Sequence, residues 1–579
     1  MRLRSGRLTA LVGSAVTALA LVLTACGSNA PAASSGRASR VVLVGGIQTE
    51  PNWWFAYTDL QTCSTSNFGI GLLYHGLLYI SPQDTINYGR SIASGITTSH
   101  NDTVFTIHLK SNWKWSNGTP VTASDVLFSW DILKNTSYPT AVWQNCGAGV
   151  GGIPNEWRSV TAPNPHTVVI TTTQPVNPLW FEINGIAQLS PIPKAVWDRY
   201  PNNMTQELKW IQSVANEPFS KWFQVTDGPY KLTKLVNDEY WVFTANPNYS
   251  GHKPQIQTLQ FNYETGDSGV YLGLRKGVLS QADLPPEYAS SKAVLEKNYD
   301  VVQQGYSFGI NYIQLNESSQ APGGIGSAFA QLDVRKALQM GIDQAQIVSK
   351  IYNGYAHVEY GPIPPEPPNA YYSASSVYKW PFNTRAGLKL LEKDGWTMGP
   401  GNVLEKNGQK LAFTLIYMSG TVTDDNLVQL LKADWAKEGI QVTLKPLPFN
   451  QVVGLISQPT QYQALWWGAG WYYGPDFYPT GGELYHTGGL YTPPGYSNAK
   501  TDQLIDATKG PGTPAQEQQR MAAYQAWVSR QLPVLWLPEY IGVGTPSAYQ
   551  AIAPYLQGVV KYYNPIGGAS YHYWTIKGT

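Results

Sequence analysis

The segment of this sequence most suited to ligand chemistry is residues 465–476, which read Leu-Trp-Trp-Gly-Ala-Gly-Trp-Tyr-Tyr-Gly-Pro-Asp. Alternation predicts a strand over residues 465–471. One face of that strand would carry Leu465, Trp467, Ala469 and Trp471. Glycines between the tryptophans leave room for a ligand to approach the backbone. The segment is therefore a candidate binding surface, and the alternative for each ring is packing in a core.

A second segment matches a catalytic pattern. Residues 305–309, Gly-Tyr-Ser-Phe-Gly, fit the G-x-S-x-G motif, with Ser307 at the nucleophile position. That motif needs a helix after the serine, whereas residues 310–315 alternate like a strand. We therefore expect no catalytic residue, and a secreted hydrolase is only a remote alternative.

Metal and cofactor signals are absent from the sequence patterns. The eight histidines include no His-x-x-x-His pair, and the three cysteines form no Cys-x-x-Cys pair. No P-loop is present. We expect neither a metal nor a cofactor. Because the sequence has no P-loop, any ATP that the function requires would be hydrolysed by partner subunits.

Composition narrows the classes of partner. Charged residues make up 13% of the 579 residues, and aromatic residues also make up 13%. Soluble domains usually carry about 25% charged residues. The formal net charge of +1 offers no basic surface for nucleic acid. The length favours two or three domains.

The N-terminus predicts export and anchoring. Arg2, Arg4 and Arg7 precede an apolar run over residues 8–23, which is typical of a secretory signal. Residues 23–26, Leu-Thr-Ala-Cys, resemble a bacterial lipobox, which implies a signal peptide over 1–25 and lipidation of Cys26. Residues 26–40 would form a flexible tether. We expect an extracytoplasmic protein held at the cell membrane by its lipid.

The two remaining cysteines, Cys63 and Cys146, would then share an oxidising compartment. We predict one disulfide between them. Two separately buried thiols are the alternative.

Helices and strands alternate along the chain, which predicts an α/β fold. Residues 103–110 alternate as a strand, and Thr122-x-x-Asp125 predicts a capping box at the start of a helix. Two short helices are expected over residues 333–354. A longer helix is expected over 425–438, followed by a strand over 440–444.

Seven motifs follow one another along the chain: residues 107–126, 227–232 (Asp-Gly-Pro-Tyr-Lys-Leu), 333–343, 362–365, 386–396, Gly470-Trp471 and 532–535. Taken in this order, they resemble the motifs of the family-5 solute-binding proteins of ABC importers, the oligopeptide and dipeptide binders. The first motif is similar to the family signature "lr.gvkf.dGtplta.DV.fs".

This resemblance implies a two-lobed clamp of the periplasmic-binding-protein type, the large class with an extra subdomain. Lobe one would span residues 41–307, with the extra subdomain at about 69–185, and would be rejoined by 537–579. Lobe two would span 308–536, so two chain crossings form the hinge. Such a clamp, expected to be a monomer, closes on its ligand and is then recognised by the permease.

The resemblance also implies ligand contacts. Trp53, Trp54 and Phe55 fall in a loop that borders the ligand in relatives, and the segment around Trp467 and Trp471 faces the cleft. Further candidate contacts are Tyr472, Tyr473 and the crossing residues Tyr306 and Trp536.

The ligand itself stays open at this stage. Peptide binders carry an aspartate shortly after the Gly-Trp pair, which binds the α-ammonium group. Here Gly474 holds that place and Asp476 follows two residues later, so Asp476 either shifts into register or the function is lost. A peptide is the first choice. The alternative is an oligosaccharide or another largely neutral solute, such as a siderophore or a metal chelate, held by stacking on rings.

Overall fold

The computed structural model describes residues 41–47, 51–62, 69–264, 266–303, 305–456, 458–468, 470–474, 477–540, 547–565 and 568–578. The predicted signal peptide and tether, Cys26, Cys63 and Asp476 lie outside these residues. Within the described ranges, no helix has the length and apolarity needed to cross a bilayer.

The larger sheet of lobe one has seven strands drawn from both ends of the chain. In spatial order they are Asp300–Val302, Tyr549–Ile552, Gln281–Leu284, Val41–Ile47, Thr258–Tyr263, Tyr240–Ala245 and Tyr230–Val236. Val41–Ile47 at the centre runs parallel to both of its neighbours. The chain therefore returns to this sheet after passing through lobe two.

A separate four-stranded antiparallel sheet adds a layer to lobe one. Its strands, in order, are Ala93–Ser99, Val104–Leu109, Thr167–Thr172 and Trp157–Asn164. Phe105, Ile107 and Leu109 are buried on one face, as the alternation of residues 103–110 predicts. The helix Ala123–Thr136 packs on this sheet and starts with the expected capping box, in which the amide of Thr122 donates to Asp125 Oδ2 (2.8 Å).

Lobe two is built on a six-stranded sheet. Its strands are Gln441–Leu447, Ala412–Met418, Ala464–Trp466, Gly309–Leu315 and Trp471–Tyr472, with Leu535–Leu537 also paired to Gly309–Leu315. Gly309–Leu315 is buried along its whole length, because helices cover both faces of the sheet. Separate apolar clusters fill those two sides.

The main helices are Ala123–Thr136, Met204–Val214, Asp267–Arg275, Leu332–Met340, Thr384–Lys393, Val422–Ala436, Ala499–Lys509 and Pro514–Gln531. Shorter helices are Pro178–Trp180, Phe181–Gly185, Lys194–Trp197, Pro286–Ser291, Lys292–Leu295, Gly326–Phe329, Gln344–Gln346, Ile347–Ile351, Phe449–Gly454 and Gly482–Tyr485. Small two-residue and three-residue strands pair Ala356–His357 with Glu539–Tyr540, Leu404–Lys406 with Thr397–Met398 and Gln409–Lys410, Leu556–Gln557 with Thr575–Ile576, and Tyr563–Asn564 with Gly568–Ala569.

Two of the predicted elements differ from the structure. The helix expected over 425–438 spans Val422–Ala436, because the Thr421 side chain caps it by accepting from the amide of Asp424. The continuous strand predicted over 465–471 is wrong. The strand Ala464–Trp466 ends early, since Gly468 and Gly470 adopt positive φ angles of 82° and 60°, which a strand cannot contain.

Candidate ligand-binding cleft

The carboxyl ends of the parallel strands in both lobes point to one region. In lobe one, Val41–Ile47 runs parallel to Thr258–Tyr263. In lobe two, Ala412–Met418 runs parallel to Gln441–Leu447 and Ala464–Trp466. Open α/β sheets bind ligands just beyond these strand ends. The candidate site therefore consists of the segments that follow the strands.

These segments touch across the lobe boundary. Thr423 of lobe two donates its hydroxyl to Glu287 Oε2 of lobe one (3.0 Å), and Asn353 Nδ2 donates to the carbonyl of Pro286 (2.9 Å). The backbones also approach closely, because a Cβ placed on Gly266 would lie 3.0 Å from the Gly420 oxygen. The two strand-end edges thus meet as in a closed clamp.

A second contact between the lobes lies at the extra subdomain. The Asn184 side chain and the backbone of Tyr478 exchange hydrogen bonds of 2.7 and 2.8 Å. The nearby Asn177 donates its side-chain amide to the Tyr478 hydroxyl (3.2 Å) and its backbone amide to the Lys509 carbonyl (2.7 Å). The lobes are therefore joined by a second set of hydrogen bonds, separate from those at the strand ends.

The aromatic segment of lobe two becomes a turn followed by a short strand. A Cβ on Gly470 would overlap the Ile310 carbonyl oxygen, so the turn passes directly against the central strand. Trp471 and Tyr472 then pair with Ile310 and Gly309. The glycines place these two half-buried rings at the edge of the sheet, next to lobe one.

Trp471 is a predicted contact that lies near the lobe boundary. Its ring packs on Tyr491 with centroids 4.6 Å apart, and the Tyr491 hydroxyl donates to the Cys146 carbonyl of lobe one (3.1 Å). Trp467 is buried, donates to the Gly470 carbonyl (2.7 Å) and meets Tyr312 edge-on. The structure brings the two tryptophans onto one loop but gives them different surroundings.

The lobe-one aromatic residues sit in a packed core. Trp53 donates its indole N–H to the Tyr57 carbonyl (2.8 Å), and Trp54 is 1% exposed against Phe243. The Phe55 ring lies 4.6 Å from that of Trp197. Their contacts support a packing role, and ligand contact by these three rings stays a prediction.

The remaining predicted contacts are also spread out. Tyr473 is buried and bonds through its hydroxyl to the Pro362 carbonyl. Trp536 is fully buried, with its amide held by the Gln339 side chain (2.7 Å). Tyr306 is half-buried at a chain crossing, where its ring meets His357 at 4.6 Å. Ser307 precedes the strand Gly309–Leu315 and has no helix after it, so the hydrolase geometry is not formed.

Sequence patterns alone missed the carboxylates of this region. Asp424 is fully buried, and neither of its carboxylate oxygens has a hydrogen-bond partner among the described residues. Burial raises the pKa of Asp424 well above its usual range, and the charges of Asp267, Asp425 and Glu287 add to the shift. The Thr421-x-x-Asp424 spacing, which is typical of a helix N-terminus, was the one signal that could have located it.

A second carboxylate pair lies beside Tyr306. Glu539 pairs with His357 across two short strands, is fully buried, and has no hydrogen bond to either carboxylate oxygen within the described ranges. Burial raises its pKa well above the usual range, and the charge of Glu359 raises it further. Glu539 and Glu359 therefore lie close together near the chain crossing that follows residue 536.

The sequence comparisons agree with this architecture. The profile of the bacterial extracellular solute-binding proteins, family 5 Middle, matches residues 88–488. Protein XP55 of Streptomyces lividans is 25% identical over 437 residues, which cover 75% of this chain and 72% of that protein. The oligopeptide-binding protein AppA of Bacillus subtilis is 22% identical over 511 residues, covering 86% and 87% of the two chains.

Solved structures show the same fold. AppA of Bacillus subtilis in complex with a nonapeptide superposes with a TM-score of 0.77 at 21% identity, covering 93% of this chain and 99% of that one. NikZ of Campylobacter jejuni in complex with Ni(L-His) gives a TM-score of 0.70 at 17% identity, covering 92% and 99%. With a family profile matched over most of its length and two lobes that meet at their strand ends, this chain belongs to the family-5 bacterial extracellular solute-binding proteins.

Proposed function

We propose that this protein is the lipid-anchored peptide-binding component of an ABC importer. It captures a peptide between the lobes and delivers it to the permease. The observation that carries this proposal is the contact of the two strand-end edges, through Thr423 to Glu287 and Asn353 to Pro286. A ligand held there contacts both lobes only when they close, so it shifts the equilibrium toward the closed form.

Peptide is the ligand class that the relatives favour. AppA is named an oligopeptide-binding protein, and its solved structure holds a nonapeptide. A homologue in Brucella suis is named a putative ABC transporter peptide-binding protein. The half-buried rings of Trp471 and Tyr472 add apolar area that can pack on peptide side chains.

The lipid anchor rests on the Leu23-Thr24-Ala25-Cys26 motif and the basic, apolar segment before it. Metabolic labelling with radioactive palmitate should mark the full chain and spare Cys26→Ala, which should appear in the medium. Equal labelling of both proteins would contradict lipidation at Cys26.

Calorimetry tests the ligand class. Peptides of three to nine residues should bind with micromolar or tighter affinity, and small-angle scattering should show compaction at saturation. A response to cello- or xylo-oligosaccharides without a response to peptides would overturn peptide binding and favour the ring-stacking alternative. An unchanged radius at saturating peptide would count against capture by lobe closure.

A further inference from the structure

A cluster of aromatic rings reaches the surface of lobe one. It is built on the helix Met204–Val214 and the short helix Lys221–Gln224. The Trp210 and Trp222 rings meet edge-on with centroids 4.9 Å apart, and Trp210 also packs on the buried Trp197 at 5.5 Å. Both Trp210 and Trp222 are half-buried. The cluster therefore extends from the core of lobe one to its surface.

The connection between the two helices exposes a further apolar ring. Phe219 is 50% exposed and lies three residues before Trp222. Its backbone belongs to a hydrogen-bonded turn, in which the Glu217 amide donates to the Val214 carbonyl and the Ser220 amide donates to the Glu217 carbonyl, both at 2.9 Å. Covering a phenylalanine that is held in water is favourable, because its apolar area is removed from the solvent.

Basic side chains accompany these rings. The Arg199 guanidinium lies 4.6 Å from the centroid of Trp222 and 5.7 Å from that of Trp210, and Lys221 Nζ lies 4.5 Å from Trp222. Lys209 is a third exposed basic residue on the same helix pair. None of these three basic side chains forms a salt bridge within the described part of the chain. Their positive charge is therefore available to an external anion.

Acidic residues of the same segment do not cancel this charge at the surface. Glu207 is buried, and its carboxylate accepts from the backbone amides of Arg199 (2.8 Å) and Tyr200 (2.6 Å). Glu217 is the one exposed acid in the sequence from 199 to 222. Three exposed basic side chains thus stand against one exposed carboxylate.

We propose that this aromatic-basic patch binds the anionic phospholipid surface of the membrane to which the protein is anchored. Tryptophan and phenylalanine favour the membrane–water interface, and lysine and arginine beside them attract anionic headgroups. The inference rests on the proposed lipid anchor, which supplies the bilayer, and is independent of which ligand the cleft holds. The patch consists of Arg199, Lys209, Trp210, Phe219, Lys221 and Trp222.

The predicted tether is compatible with this contact. Residues 26–40 span at most about 50 Å when extended, and Val41, which follows them, begins the central strand of the lobe-one sheet. A lipid on Cys26 therefore keeps lobe one close to the bilayer. Binding through the patch would then fix which side of lobe one faces the membrane.

Vesicle sedimentation tests the proposal in the Cys26→Ala background, so that no lipid anchor contributes. The protein should bind vesicles of phosphatidylglycerol and phosphatidylcholine in equal amounts at least about tenfold more tightly than vesicles of phosphatidylcholine alone, and sodium chloride should weaken this binding. Phe219→Ser combined with Lys221→Gln should lower the affinity for the anionic vesicles about tenfold. The matched control, Phe382→Ser with Arg385→Gln, changes an exposed pair in lobe two and should retain it.

Fluorescence locates the contact. Brominated phospholipids in the anionic vesicles should quench part of the tryptophan emission, and Trp222→Phe should reduce that quenching. Quenching that is unchanged in Trp222→Phe would assign membrane binding to another surface and overturn the inference.

Two further outcomes would contradict lipid binding by the patch. The first is equal affinity of the patch variant and the Cys26→Ala protein for anionic vesicles, or no binding by either. The second concerns membrane vesicles from the producing cells: binding should survive trypsin treatment of these vesicles, and its loss would identify a membrane protein as the partner. Circular dichroism checks that each variant folds. Palmitate labelling and peptide calorimetry report on the proposed function separately, so its failure is distinguishable from failure of the patch.

Discussion

The Asn184 side chain and the Tyr478 backbone exchange two hydrogen bonds across the lobe boundary, with the Tyr478 amide donating to Asn184 Oδ1 (2.7 Å) and Asn184 Nδ2 donating to the Tyr478 carbonyl (2.8 Å). Both residues are buried. These two hydrogen bonds therefore form only when the extra subdomain of lobe one meets lobe two. They stabilise the closed form and not the open form.

Asn184→Ala should weaken ligand binding without removing any proposed ligand contact. Losing the pair costs the closed form about 1 to 2 kcal/mol, so the affinity for peptide should fall about tenfold. Scattering should show a larger radius at a given peptide concentration. The control is Tyr478→Phe, which keeps both backbone bonds and loses only the contact with Asn177. Equal affinities for wild type and Asn184→Ala would show that the pair does not contribute to closure.

Trp471→Ala should weaken peptide binding by more than about 1 kcal/mol while leaving the melting temperature largely unchanged. Its ring is half-buried at the lobe boundary against Tyr491. Trp536→Ala is the contrasting variant. Because Trp536 is fully buried in lobe two, its truncation should cost about 3 to 5 kcal/mol of stability. A fall in melting temperature for Trp471→Ala with unchanged affinity would assign that ring to the core.

Glu438→Gln should stabilise the protein at alkaline pH. Burial raises the pKa of Glu438 to about 9, and neither carboxylate oxygen has a partner among the described residues. Between the usual pKa of 4.5 and this value, the folded chain keeps a proton that the unfolded chain releases, so the stability of wild type falls as pH rises. In urea titrations the variant should gain at least about 1 kcal/mol at pH 8, with a smaller difference at pH 5. The exposed Glu392→Gln is the control, and a pH-independent difference for Glu438→Gln would contradict this account.

The predicted Cys63–Cys146 disulfide should protect both thiols from alkylation in denaturant without reductant. Cys146 lies beside the chain that leads to Cys63, since its amide donates to the Thr58 carbonyl (3.1 Å) and Asn145 bridges to Asp59. Replacing both cysteines by alanine should cost up to about 4 to 5 kcal/mol of stability in the chain-entropy account. Modification of two thiols in the non-reduced, denatured protein would disprove the bridge.

Local patterns in the sequence predicted much of the fold because they depend on neighbouring residues. The capping box at Thr122, the alternation of residues 103–110 and the strand Gly309–Leu315 all follow from spacing of two to four residues. The ordered family motifs then identified the clamp, since they mark turns and helix starts in a fixed sequence.

Local sequence patterns did not predict whether an individual aromatic side chain would be buried or would lie at the lobe boundary. Trp53 and Trp471 have similar local sequences, yet Trp53 is buried against Trp143 whereas Trp471 lies half-buried at the lobe boundary. Burial depends on partners that are distant along the chain. The predicted strand over 465–471 failed for a related reason. Gly468 and Gly470 adopt positive φ angles, and Gly470 packs directly against Ile310, which is distant along the chain.

The sequence by itself determined the class of protein, because its motifs placed it among the family-5 solute-binding proteins. Only the tertiary structure brought Asp424 and Glu287 together. Each follows a strand in a different lobe, and the strand-end edges of two sheets meet only after the chain has crossed between the lobes. The low charge count along the chain suggested a ligand held by ring faces, whereas the structure brings together two acids that form no salt bridge with any described residue.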